Sequence, residues 1–87
     1  MAHEQLERAS EELEAAAEAA NGEEGERLAD QAEAFAELAE RGTDHGRLAR
    51  HENTLREGNA ATGEDVGARI EAAMDAITAY RETLDGV

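Results

Sequence analysis

Two runs of apolar residues restrict what this chain can fold into. Leu6, Ala9, Leu13, Ala16 and Ala20 advance by alternating steps of three and four. Val66, Ile70, Ala73, Ile77, Tyr80 and Leu84 do the same in the opposite phase. Such steps place side chains on one stripe of a helix, whereas a strand needs alternation of every second residue. Leu28, Ala32, Phe35 and Ala39, flanked by Leu38, form a third stripe. Composition alone points elsewhere. Leu, Ile, Val and Phe number only 12 of 87 residues and the net charge is −14, the compositional mark of disorder. The rhythm outweighs it, because a disordered chain has no reason to keep one, and Ala, Glu, Leu and Arg are strong helix formers. The fold class is all-α.

Glycine sets the predicted boundaries. The first helix should run from about His3 to Ala20 and stop at Asn21-Gly22, residues that tolerate the left-handed conformation of helix ends. The second should run from about Glu23 to Arg41 and stop at Gly42, with Gly25 weakening its first turn. The third should span about Asp44 to Glu57, capped by Thr43 or Asp44 and stopped by Gly58-Asn59. A loop over Ala60 to Gly63 follows, with Thr62 and Asp65 resembling a capping box. The fourth should reach Leu84 and end at Gly86, with Val87 folded back on it. The expectation is an antiparallel three- or four-helix bundle with short Gly-containing loops and a narrow Ala-rich core. It forms a single domain over residues 1–87.

So few large apolar side chains leave a thin core, which predicts further burial by self-association as a homodimer. The seam would be the first helix, whose alternate Ala residues permit close approach, or the fourth, apolar enough to be central, or both. Phe35 and Tyr80 lie on the stripes and are assigned to the core, with the Tyr80 hydroxyl at its edge.

All 8 basic residues are Arg, against 22 Asp and Glu. Glu4–Arg8, Glu23–Arg27, Glu37–Arg41, Glu52–Arg56 and Asp65–Arg69 place an acid four residues before an Arg, the favourable helical orientation. The surplus of acid destabilises a compact state in dilute buffer. At 1 M salt the Debye length falls to about 3 Å and the repulsion is screened. An acidic surface without Lys, with Ala replacing bulky apolar residues, fits a cytoplasm of concentrated salt. An acidic nucleic-acid mimic or a binder of basic proteins is the weaker reading. The absence of Cys excludes disulfides and thiolate zinc sites. No apolar run approaches the roughly 20 residues that cross a bilayer, so no membrane role is expected, and the start does not read as a signal peptide.

One segment departs from the acidic pattern. In residues 43–58, Asp44, Glu52 and Glu57 are balanced by Arg47, Arg50 and Arg56, and two of the 3 His lie there, His45 and His51. These five basic side chains are the candidate contact residues. The plainest reading has Arg47, Arg50 and His51 bonding to carboxylates of neighbouring helices. A second places an anion at the helix start beside His45, Gly46 and Arg47, although Asp44 as cap would occupy those donors. A third is a helix-turn-helix with Arg47, Arg50, Asn53 and Arg56 toward a groove. Acidic surroundings and salt disfavour nucleic acid.

Catalysis and metal binding are not expected, and no cofactor is implied. His45 and His51 stand about 120° apart around a helix, and the only His–carboxylate pair at i, i+4 spacing is His3–Glu7. Ser10, Thr43 and Thr54 have no visible base to activate them. The chain therefore reads as an interaction or structural module with an unknown protein partner. The alternative is a regulatory module binding an anion or nucleic acid through the third helix.

The stretch Asp44 to Glu57, most specifically its run His45-Gly46-Arg47-Leu48-Ala49-Arg50-His51-Glu52, with residues 27–33 and 79–87, resembles a family of small acidic uncharacterised helical proteins from haloarchaea. The resemblance covers nearly the whole chain and implies a cytoplasmic, halophilic helical protein. That family has no assigned activity, so no role passes to any residue.

Overall fold

In the computed structural model, residues 3–60 and 63–83 are described, with the backbone alone at residues 45 and 58–60. Four helices, α1 (Glu4–Ala19), α2 (Gly22–Arg41), α3 (His45–Ala60) and α4 (Glu64–Thr83), account for most of these residues, and none lies in a strand. The all-helical class read from the spacing therefore holds. Thr62, Leu84, Gly86 and Val87, assigned above to a capping box and to the end of the last helix, lie outside the described residues.

The stripes are the buried faces. Leu6, Ala9, Leu13 and Ala16 of α1 are fully buried, and so are Phe35, Ile70, Ala73 and Ile77. Together with Leu48 and Leu55 of α3 they belong to one apolar cluster, against which Ala17, Ala20 and Met74 pack. The central helix is α1 and not α4. It packs along both α2 and α4, whereas α4 packs far less extensively against α3. Alternation of Leu with Ala explains this, because the small residues let two neighbours approach the same helix closely. Ser10 lies within this packing, and its hydroxyl donates to the Ala32 carbonyl of α2 at 2.8 Å.

Glycine acts here through close approach as well as through turns. A Cβ at Gly25 would stand 3.2 Å from the Ala17 carbonyl oxygen and 3.4 Å from that of Ala20. The residue that weakens the first turn of α2 thus allows it to lie against the end of α1. At the other end of α2 the chain turns at Gly42, whose N–H donates to the Leu38 carbonyl at 2.6 Å. Its φ of 78° and ψ of 172° fall in a region that is essentially glycine-only. By contrast, Gly58-Asn59 does not stop α3, which continues to Ala60. Glycine permits the left-handed turn and does not impose it.

Gly42 is also the floor of a junction. A Cβ there would meet His3 Nε2 at 2.9 Å and Tyr80 Oη at 3.2 Å. The His3 ring stands edge-on to the Tyr80 ring, centroids 5.3 Å apart. The His3 N–H donates to the Ala39 carbonyl at 2.9 Å, which ties the start of α1 to the end of α2. Tyr80 Oη accepts the Thr43 N–H at 3.2 Å, so the tyrosine at the core edge also fixes the lead-in to α3.

Gly42→Ala should therefore lower stability by about 1–3 kcal/mol. Denaturant unfolding followed by circular dichroism at fixed KCl measures it, and a loss below about 0.5 kcal/mol would show that the turn is unstrained.

Candidate functional site

The third helix begins as its sequence requires. Asp44 Oδ1 accepts the Arg47 N–H at 2.9 Å, and the Asp44 carbonyl accepts the Leu48 N–H at 3.2 Å. Asp44, and not Thr43, is therefore the cap. Its carboxylate takes a free donor of the first turn and places a negative charge there, which weighs against an anion at the helix start. Thr43 Oγ1 is buried without a hydrogen-bond partner among the described residues.

Leu48 and Leu55 face the core, and between them lies a residue the spacing did not single out. Glu52 is 7% exposed and accepts a hydrogen bond from Arg81 of α4 at 2.5 Å. This buried carboxylate anchors α3 to α4. Its position between two buried Leu side chains was the available signal, but pairing with Arg56 on the same helix was the nearer choice. Among the described residues, none of the five predicted within-helix pairs closes to ion-pair distance. Arg69 reaches across to Glu12 of α1 at 3.2 Å, and Glu52 turns to Arg81. Exposed pairs four apart are worth only about 0.2–0.5 kcal/mol, so a better-placed carboxylate on another helix outcompetes them.

His51 is held from α2. Its Nδ1 lies 2.7 Å from Gln31 Oε1, and its ring is tilted against Phe35 with centroids 4.9 Å apart. Gln31 Oε1 is an acceptor, so Nδ1 carries the hydrogen. Half-burial pushes the His51 pKa below the ordinary 6.5, and the nearby Arg47 charge pushes the same way. The neutral ring is favoured.

Arg47 and Arg50 break the expectation made for them. Both are exposed, and among the described residues neither guanidinium lies within ion-pair distance of a carboxylate. The expected bonds to acidic neighbours do not form there, and His51 bonds to an amide in place of an acid. Arg47, Arg50, His51, Gln31 and Thr54 instead line one open depression of about 350 Å³ between α2 and α3. Arg56 does not join them, since nine residues carry it about 180° around the helix from Arg47. The same separation prevents Arg47, Arg50, Asn53 and Arg56 from presenting one narrow reading face. Of His45, the fifth candidate, only the backbone is described.

The chemistry of the depression is donor-rich. Two guanidinium groups flank it, and the Gln31 amide, with its oxygen engaged by His51, offers N–H groups. Among the described residues, no acidic side chain lines it. Other depressions differ. That between α1 and α4 includes Glu12, Glu18 and Asp65, that between α1 and α2 includes Glu7, Glu11 and Glu40, and that near Ala20 includes Glu24, Glu64 and Asp65.

Two measurements check this placement. Arg81→Ala leaves Glu52 without this partner in a buried position and should cost about 1–3 kcal/mol. Arg47→Ala and Arg50→Ala should each change stability by less than about 0.5 kcal/mol. For His51, the unfolded chain binds a proton more readily than the folded one. Its contribution is therefore complete above pH 6.5 and falls as pH drops from 6.5 toward the lowered folded-state value. Unfolding free energies from pH 5 to 8 should show this slope, and His51→Gln should reduce it; an unchanged slope in that variant would refute the assignment.

No curated protein and no solved structure matches the chain. A family model does match, over residues 1–83, a span that contains α1–α4 and every side chain of the depression. The chain belongs to DUF7553, a family of unknown function.

Proposed function

We propose that this chain is a non-enzymatic interaction module that works as a homodimer in a cytoplasm of concentrated salt, as in haloarchaea. The whole chain forms one antiparallel helical bundle in this reading. The observation that carries it is the outer surface of α1 and α4. Their inward stripes are filled within the chain, but Ala15 and Ala19 of α1 and Ala68 and Ala72 of α4 floor a depression of about 720 Å³. Helix backbones of a second copy could approach closely there. Glu18 and Asp65 on the rim, beside the Arg69–Glu12 pair, would repel a second copy in dilute buffer and much less in molar salt.

Among the described residues, no helix is long and apolar enough to cross a membrane. That is compatible with the reading. The acid surplus and the absence of Lys support a high-salt habitat.

A second reading has α3 as the contact surface of a regulatory module, and the acid-free depression favours it. Nucleic acid is the weaker ligand, because Arg56 stands away from Arg47 and Arg50 and the remaining surface is acidic. A gel shift with duplex DNA at high salt tests that choice, and no retardation is expected.

Light scattering in 2–3 M KCl should give the mass of a dimer, and helicity should fall as KCl is lowered to 0.1 M. Ala19→Gln with Ala68→Gln should yield a helical monomer. A wild-type monomer at 3 M KCl would sink the homodimer, and salt-independent helicity would sink the halophilic reading.

A further inference from the structure

We propose that the depression lined by Gln31, Arg47, Arg50, His51 and Thr54 is a proton-linked binding site for a doubly charged tetrahedral oxyanion, a phosphate group. It deepens the second reading, α3 as a contact surface, by naming the chemical group that surface takes. It does not depend on self-association, which uses α1 and α4.

The argument begins with charge. A chain of net charge −14 has an abundance of carboxylates for its 8 Arg, and Arg69 and Arg81 have found theirs on other helices. Arg47 and Arg50, like Arg8, Arg27, Arg41 and Arg56, have found none among the described residues, but these two lie one helical turn apart and border the same depression. Their two planar forks suit an anion with several oxygens, to which guanidinium groups donate paired hydrogen bonds. Gln31 is already oriented, because its Oε1 is engaged with His51. The amide nitrogen then has hydrogens to donate. Thr54 donates its hydroxyl to the Arg50 carbonyl at 3.2 Å and closes the C-terminal side.

His51 supplies the proton linkage. From α2 it faces Gln31 and Phe35, neither of them charged, and from α3 it is near the Arg47 charge. Its neighbour Glu52 is engaged with Arg81. With Nδ1–H given to Gln31, the second ring nitrogen of neutral His51 carries a lone pair. Protonation replaces that lone pair with an N–H and adds a third positive charge to the site. In the empty site the Arg47 charge and partial burial oppose this step. A bound dianion neutralises the arginines and reverses the balance, so binding takes up a proton. By reciprocity, affinity rises as pH falls.

Sulfate is the probe for the linkage, since it stays a dianion across the range in which His51 titrates. Binding is followed by the His51 ring proton signals and by calorimetry, at constant ionic strength in 2 M KCl. A saturable shift at His51 is expected, with affinity at pH 5.5 above that at pH 7.5 by a factor of up to about ten for each unit by which sulfate raises the His51 pKa. His51→Gln should bind with no such pH dependence, and Arg47→Gln with Arg50→Gln should not bind while remaining folded. Inorganic phosphate and phenyl phosphate at pH 7.5 distinguish the sources. Tighter binding of the free ion identifies inorganic phosphate, and equal or tighter binding of the ester identifies a phosphorylated molecule. No saturable binding of any probe would overturn the proposal, and so would binding that survives loss of both arginines. Sulfate binding with no effect on any partner of the chain would leave the ligand assignment standing and remove the regulatory reading alone.

Discussion

The fold depends on how closely helix backbones can approach α1. With 12 residues of the Leu, Ile, Val and Phe types in 87, a core of ordinary thickness cannot be filled. Alternating Ala9 and Ala16 with Leu6 and Leu13 draws the neighbouring helices inward, so that atoms that would otherwise line voids come into contact. The facing residues follow the same rule, with Ala32 and Ala39 on α2 and Ala73 and Ala76 on α4. Gly25 extends it to the backbone itself, where a single added carbon would press on the Ala17 carbonyl. Ser10 is buried in this packing, and its hydroxyl bonds directly to the Ala32 carbonyl.

That arrangement determines where charge can go. Helices this thinly cored have wide solvent faces, and those of α1 and α2 are occupied largely by acids. A third helix with the same charge density would add repulsion while bringing only Leu48 and Leu55 to the core. The neutrality of residues 43–58 answers this constraint. Glu52 is tolerated inside because Arg81 reaches it from α4, and losing one partner of such a pair is costly even where the pair itself adds little. Arg47 and Arg50 are different. They balance the segment's charge without anchoring it to a carboxylate among the described residues.

Periodicity made the helices and their buried faces legible, since a stripe at 3.6-residue spacing has one apolar solution. Leu6, Leu13, Phe35, Ile70, Ile77 and Tyr80 all lie inside. The Asp44 cap was legible for a similarly local reason, as its carboxylate needs only the next turn's N–H. What could not be read was any choice between partners at similar distances. Five acids placed four residues before an Arg look equivalent in sequence, yet Glu52 and Arg69 prefer partners on other helices. The central position of α1 was hidden too, because α4 has the larger apolar residues, whereas close approach favours the smaller ones. Gly58-Asn59 looked like a stop because the sequence shows what a residue permits and not what the chain adopts. At the site, the segment was legible from its charge balance, but Gln31 was not, since it comes from a different helix.

The placement of that site has a mechanical consequence. Among the helices, α3 has the least extensive packing: two buried Leu side chains, one buried carboxylate and the contacts of His51 with α2. Elements held by few apolar contacts open at lower free energy than the core. The depression draws Gln31 from α2 and its other lining residues from α3, so an occupant would tie together two helices that otherwise have little common surface. The free energy of binding would then appear as resistance of α3 to local opening, whereas α1 and α4 would be little affected. The thin core keeps three helices closely joined while leaving the fourth weakly held. A ligand can alter that helix without having to reorganise the rest.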